Sequence, residues 1–233
     1  MPSAECRVPS QIFITGGTGY IGRALTRELV RRGHSVRALV RPGRDANLEA
    51  AVGAVVGDAL RAETFQAAVP PADTMVHLVG TPRPSPAKAA QFEEVDLASI
   101  KAAVSAARAS AVRHLVYVSV AHPAPVMQAY IAVRQIGEDL IRGSGLAATI
   151  LRPWYVLGPG HRWPYVLVPL YILAGWFPRT RDGARRLGLV TLAQMVAALV
   201  YAVEHPATGV RIMEVPDIRE AARGAARYGA PNT

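Results

Sequence analysis

Two groups of residues in this chain have types and spacings that could do chemistry. The first is Gly16-Gly17-Thr18-Gly19-Tyr20-Ile21-Gly22, which follows the apolar run Ile12-Phe13-Ile14. A glycine turn between a strand and a helix can hold a pyrophosphate. Gly16 allows the tight turn, Gly19 lets the backbone approach the phosphates, and Gly22 lets the helix pack close. The N–H groups and partial positive charge of the helix N-terminus then face the anion. A tight connection with no ligand is the alternative. The second group is Tyr130 and Arg134, four residues apart. A phenol ordinarily titrates near pH 10, which makes it a poor base at neutral pH. A cation one helical turn away favours the phenolate and lowers that value. Such a pair could move a proton. A buried helix tyrosine with a satisfied hydroxyl is the alternative.

These residues need elements to position them. Ile21, Leu25, Leu29 and Val30 recur at helical spacing, with Arg23, Arg27, Arg31 and Arg32 on the other face. Gly33 stands where a helix ends, and 35–40 reads as the next strand, which completes a βαβ unit. Strands are expected at 11–15, 35–40, 53–57, 74–79, 114–119, 147–151 and 210–215. Helices are expected at 20–32, 45–51, 61–68, 87–109, 128–143 and 191–204. Alternation with short loops implies α/β architecture: a Rossmann doubly wound, mostly parallel sheet with a small C-terminal substrate-side lobe. The expected division is a dinucleotide-binding core over 1–152, a substrate-side region over 153–218 and a peripheral tail over 219–233.

Composition narrows the classes. A chain of 233 residues fits one α/β domain. One cysteine, Cys6, excludes an internal disulfide framework and suggests a reducing, cytoplasmic setting. The first strand begins within about ten residues, which leaves no room for a secretory signal. The net charge of +9 comes from scattered arginines, without a basic stripe bearing interleaved aromatics, so nucleic acid is not expected as a partner. The tract Trp163 to Phe177 is too short and too proline-rich to span a membrane. It reads as a buried substrate-lobe segment, with a pocket, an interface or membrane-surface contact as alternatives. No cluster has metal-ligand spacing, so no metal is expected.

The glycine-x-x-glycine-x-x-glycine spacing, with Thr15 before it and Tyr20-Ile21 within it, resembles the short-chain dehydrogenase/reductase superfamily. More narrowly, it resembles the epimerase/dehydratase-like and NmrA-like branches. The resemblance continues through Ser119, Tyr130-x-x-x-Arg134, Gly137-Glu138 and Leu151-Arg152-Pro153, and covers residues 11 to about 215. It implies an active site of Ser119, Tyr130 and Arg134, with arginine where the superfamily has lysine. The serine would orient a carbonyl or alcohol, and the cation would also bond the nicotinamide ribose. Asp96 stands where asparagine is common. The resemblance further implies cofactor contacts from Gly16, Thr18, Gly19, Tyr20, Ile21 and Gly22. Asp58 and Ala59 would contact the adenine, Gly80 and Thr81 the ribose, and Pro153, Tyr155 and Val156 the nicotinamide carboxamide. Trp154, Tyr155, His161, Arg162 and Trp163 could line the substrate pocket. At the end of the second strand stands Arg41, not the carboxylate that bonds the ribose diol of NAD. A guanidinium suits a 2′-phosphate, so NADP is favoured, with NAD and an ordinary surface arginine left open. The function expected is an NADP(H)-dependent oxidoreductase, or an epimerase/dehydratase variant, on a small, rather apolar carbonyl or alcohol. A non-catalytic NAD(P)H-binding regulatory or accessory module is the alternative. The helices 87–109 and 128–143 are where related proteins pair, so an oligomer is an option.

Overall fold

The computed structural model describes residues 9–43, 48–159 and 187–228. Seven parallel strands form one sheet in the order β3-β2-β1-β4-β5-β6-β9. They are β1 (Gln11–Thr15), β2 (Ser35–Val40), β3 (Gly53–Val56), β4 (Thr74–His77), β5 (His114–Val118), β6 (Ala148–Leu151) and β9 (Val210–Met213). This is the doubly wound arrangement expected from the alternating pattern. In the register, Ile14 of β1 lies between Ala38 of β2 and Val76 of β4. A parallel sheet covered on both faces needs apolar residues at successive positions, and β1 provides them. Ile12 and Ile14 enter one core layer with Leu25 and Leu29 of helix α1 (Tyr20–Arg31). Phe13 enters the opposite layer with Met75, Leu115 and Ile100. Burial of Leu29 contributes about 2 kcal/mol, so truncation to alanine would cost about 2–5 kcal/mol.

The helix expected over 87–109 is present with an irregular start. Ala89–Gln91 (α2) runs into a π-helical segment, Phe92–Leu97, and then into α3 (Ala98–Ala109). The π segment turns Phe92 and Asp96 inward, where both are buried. Helix α4 spans Gln128–Gly143, as expected. Two further helices follow: α5 (Leu192–Glu204), capped by a reciprocal Thr191–Gln194 box, and α6 (Val215–Tyr228).

Several expectations need correction. Residues 61–68 form two short 3₁₀ turns, Ala62–Thr64 and Gln66–Ala68, in place of one α-helix. The Thr64 hydroxyl donates to the carbonyls of Arg61 and Asp58, which draws the backbone into tight turns. Of the helix expected at 45–51, residues 48–51 are not helical, and 45–47 lie outside the described residues. The segment from Arg219, expected as a tail, is helical through Tyr228. Val215, Ile218 and Ala221 place one face of α6 on the core, and Arg219 donates to the Leu189 carbonyl at 2.6 Å. A two-stranded parallel ribbon, β7 (Tyr155–Leu157) with β8 (Leu189–Thr191), was not anticipated. The tract Trp163 to Phe177, with His161 and Arg162, lies outside the described residues.

Candidate active site

Every loop singled out from the sequence leaves the carboxyl end of a parallel strand, so all lie along one edge of the sheet. That edge is where open α/β sheets bind ligands. Gly16 has φ +83°, and a Cβ there would stand 2.9 Å from the Leu78 carbonyl carbon. The turn after β1 therefore lies directly against the loop after β4. A Cβ on Gly22 would stand 2.2 Å from the Gly16 carbonyl oxygen, so only hydrogen fits. Gly19 is the N-cap of α1, with no side-chain cap and no acidic residue in the first turn. The amide of Gly19 closes the turn onto the Gly16 carbonyl at 3.0 Å. The first N–H groups of α1, from Tyr20 onward, have no capping side chain. This is the donor set an anion requires. Tyr20 closes one side: a Cβ on Gly158 would lie 2.0 Å from its hydroxyl, so Gly158 lets the chain after β7 come down onto α1.

The other positions expected at the adenosine are more local. Arg41 is exposed directly after β2, with no hydrogen bond or ion pair to a described residue. Asp58 follows β3 and braces its own turn. It accepts from Leu60 N at 3.0 Å and from Arg61 Nε at 3.2 Å. Ala59 packs on the core layer that contains Phe13.

Tyr130 and Arg134 share a face of α4, as their spacing requires. Arg134 is 5% exposed, with its guanidinium 5.1 Å from the Tyr130 ring centre and 5.7 Å from that of Tyr117. Its Nη2 donates to Asp96 Oδ1. Its Nη1 donates to the Val118 carbonyl at 3.1 Å and to the Tyr117 hydroxyl at 3.4 Å. Nε has no hydrogen-bond partner among the described residues. Burial alone would lower the arginine pKa, but the negative or polarisable oxygens of Tyr130, Tyr117 and Asp96 raise it overall. Asp96 Oδ2 accepts from Thr81 at both its amide (2.9 Å) and its hydroxyl (2.6 Å). Gly80 belongs to the same knot: a Cβ there would stand 2.2 Å from Arg134 Nη2. The expected lowering of the Tyr130 pKa is reversed. Burial pushes it above the ordinary value, and Asp96 opposes the downward pull of Arg134.

Ser119 follows β5 and is 4% exposed. Its hydroxyl donates to Glu138 Oε1 at 2.6 Å, and no hydrogen bond joins it to Tyr130. Glu138 also accepts from Arg152 Nε at 2.9 Å and from Arg142 at 2.8 Å. Burial would raise its pKa, but these donors together hold it below the ordinary carboxylate value. Pro153 accepts from the Ala121 amide at 2.9 Å. Trp154 and Tyr130 pack on one apolar cluster with Val120, Ala124, Ile131 and Leu187. Tyr155 stacks edge-on against Trp154 with ring centres 5.5 Å apart, and Val156 packs against the α1 core layer.

Sequence reasoning missed a buried polar chain beneath this knot. His77 ends β4 fully buried, with Nδ1 2.7 Å from the Thr15 hydroxyl and Nε2 3.3 Å from the Ser99 hydroxyl. Burial, aided by Arg134, pulls its pKa down to about 3. A histidine ending an otherwise apolar strand beside the glycine turn was the available signal. Among the described residues, no group of His, Cys, Asp or Glu could hold a metal ion.

Comparison with known proteins fits this geometry. Residues 16–166, from the first glycine past the Pro153 loop, match the NAD(P)H-binding family. The chain belongs to the NAD(P)H-binding family. Among curated relatives, a ceramide reductase of Caulobacter vibrioides is 29% identical over 210 residues, covering 89% of this chain and 65% of the relative. A 4-hydroxy-2-methyl-3-oxo-4-farnesyl-3,4-dihydroquinoline-1-oxide ketoreductase of Stigmatella aurantiaca is 30% identical over 168 residues, covering 63% of this chain and 50% of the relative. The chain thus spans one half to two thirds of these relatives' lengths. Among solved structures, the Bordetella bronchiseptica enzyme WbmH, in complex with NAD+, superposes with a TM-score of 0.67 at 21% identity. The superposition covers 97% of this chain and 84% of that one, and shows that this member of the NAD(P)H-binding family shares the fold. No helix among the described residues is long and apolar enough to cross a membrane.

Proposed function

We propose that this chain is an NADP(H)-dependent oxidoreductase that reduces a carbonyl on an apolar substrate. The observation that carries the reading is the uncapped α1 N-terminus on the same sheet edge as Tyr130, which is itself set against Arg134 and the apolar cluster containing Trp154. When bound, a nicotinamide supplies the hydride. Tyr130 gives the proton to the substrate oxygen in this reading, and general acid catalysis of this kind contributes about 10²–10⁴-fold. The exposed Arg41 after β2 supports a 2′-phosphate, hence NADP over NAD. The two reductase relatives, one named for a ceramide and one for a farnesyl-bearing oxo compound, support an apolar substrate. The test is NADPH consumption with an apolar ketone by the parent and by Tyr130→Phe. Turnover is expected to fall at least about 100-fold, with cofactor affinity retained. A Phe variant as active as the parent overturns the assignment.

One observation favours the alternative of a cofactor-binding module without turnover. The Arg134 guanidinium is occupied by Asp96, Val118 and Tyr117, whereas the superfamily lysine would serve the cofactor ribose. Under that reading, neither the parent nor Arg134→Lys consumes NADPH with any ketone, although both bind it.

A further inference from the structure

Two positions depart from the superfamily pattern, Asp96 and Arg134, and in the structure they meet. Arg134 comes from α4, and Asp96 from the π-helical segment before α3. Both are nearly sealed from solvent and joined as an ion pair. The other Asp96 oxygen holds the amide and hydroxyl of Thr81, so one carboxylate ties the loop after β4 to the helix carrying Tyr130. Gly80 leaves room for this pair and for no larger residue. The two departures therefore contact one another directly.

We propose that Asp96 is a positioning residue: it fixes Arg134 against the Gly80-Thr81 loop and cancels its charge, so that Tyr130 rests protonated, ready to donate to a carbonyl. This rests on the oxidoreductase reading above and adds the resting protonation of its acid. When a ketone is reduced, the carbonyl carbon would gain hydride from a bound reduced nicotinamide, which would be oxidised. The carbonyl oxygen gains the Tyr130 proton, one C–H and one O–H bond form, and the C=O π bond breaks. Tyr130 then regains a proton from water. An uncompensated cation would push the other way, toward a standing phenolate. Among the described residues, the charged or titratable groups around Tyr130 are Arg134 on its own helix and Asp96 on the neighbouring one. Tyr117 of β5 and the neutral His77 of β4 lie behind Arg134.

The test reads Tyr130 ionisation in cofactor-free protein by NMR of labelled tyrosine ring carbons, with Tyr130→Phe giving the assignment. In Asp96→Asn, the ionisation midpoint should fall by about 1–3 pH units, because the cation is no longer balanced. That variant leaves a buried charge unpaired, so Asp96→Asn/Arg134→Gln is measured beside it. The double variant should titrate within about one unit of the parent, because the pair it removes has no net charge. An unchanged or higher midpoint in Asp96→Asn overturns the proposal. So does a rise of more than about one unit in the double variant, which would mean that Arg134 acts on Tyr130 unbalanced. A second readout is the pH dependence of ketone reduction, whose alkaline limb should move down by about the same 1–3 pH units in Asp96→Asn. If the parent binds no nicotinamide cofactor, the function reading fails while the titration still decides the role of Asp96.

Discussion

Ser119 donates its hydroxyl hydrogen to Glu138 Oε1 at 2.6 Å, at the centre of a buried cluster in which Glu138 also receives Arg152 and Arg142. A serine that orients a substrate carbonyl must donate to it, and this donor is already committed. Ser119→Ala should therefore act mainly on stability. Loss of a charge-assisted buried hydrogen bond costs about 1–3 kcal/mol, while kcat for a ketone should change by less than about tenfold. Chemical denaturation alongside steady-state kinetics checks both. A 100-fold loss of kcat at unchanged stability would return Ser119 to the catalytic role that its place after β5 suggests. Glu138→Gln should be worse for folding, by about 3 kcal/mol, because the nearly buried Arg152 loses one of its two counter-charges, while the exposed Arg142 loses little.

Gly22 and Gly19 should separate folding from cofactor binding. A Cβ at Gly22 meets backbone at 2.2 Å and has nowhere to go, so Gly22→Ala should cost about 3 kcal/mol or more. Gly19 has φ −75°, open to any residue, and its added Cβ would meet only the Gly16 carbonyl, at 3.1 Å. Gly19→Ala should lose about 1 kcal/mol of stability. Its methyl nevertheless stands where phosphates must approach, so NADPH affinity should fall at least about tenfold. Thermal melts and calorimetric titration distinguish the two outcomes. Equal affinity in Gly19→Ala would mean that the turn is only structural.

Replacing Arg41 tests the choice between NADP and NAD. This arginine is exposed and has no described partner, so Arg41→Ala should leave the fold and NADH affinity unchanged. NADPH affinity should fall about 10–100-fold, the worth of charge-assisted bonds to one phosphate. Titration of both nucleotides against both proteins is the measurement. Equal NADPH binding by parent and variant would leave Arg41 an ordinary surface residue.

The sheet and its connections were legible because the patterns that specify them are local. Ile12-Phe13-Ile14 reads as a doubly buried strand, and the glycines after it read as a turn that only small residues permit. The place of Tyr130 and Arg134 on one helical face also followed from spacing. Their electrostatics did not. Asp96 lies 38 residues before Arg134 in sequence, and only the π-helical turn at Phe92–Leu97 aims it at the guanidinium. The Ser119–Glu138 bond similarly depends on packing across 19 residues. Helix α6 was misread because arginine, alanine and glycine dominate it, while the three apolar residues that dock it are spaced across its first two turns.

The buried histidines set the acid limit of stability. His77 and His114 are both fully buried and neutral, with pKa values pulled down to about 3 and about 4, in each case chiefly by burial. His114 Nε2 stands 3.0 Å from the Thr149 hydroxyl, and Arg211 adds to its shift. Both folded values lie below the unfolded value near 6.5. The unfolded chain therefore binds the extra protons as pH falls, and stability drops. The contribution is full above about pH 6.5 and is lost progressively down to the folded values. Between pH 7 and pH 5 each histidine should remove about 2 kcal/mol of unfolding free energy. Urea denaturation across that range should show the slope, and His77→Gln should reduce it by about half, whatever its effect on stability at pH 7. A slope that His77→Gln does not change would mean that His77 already carries a proton in the folded protein, against its burial between Thr15 and Ser99.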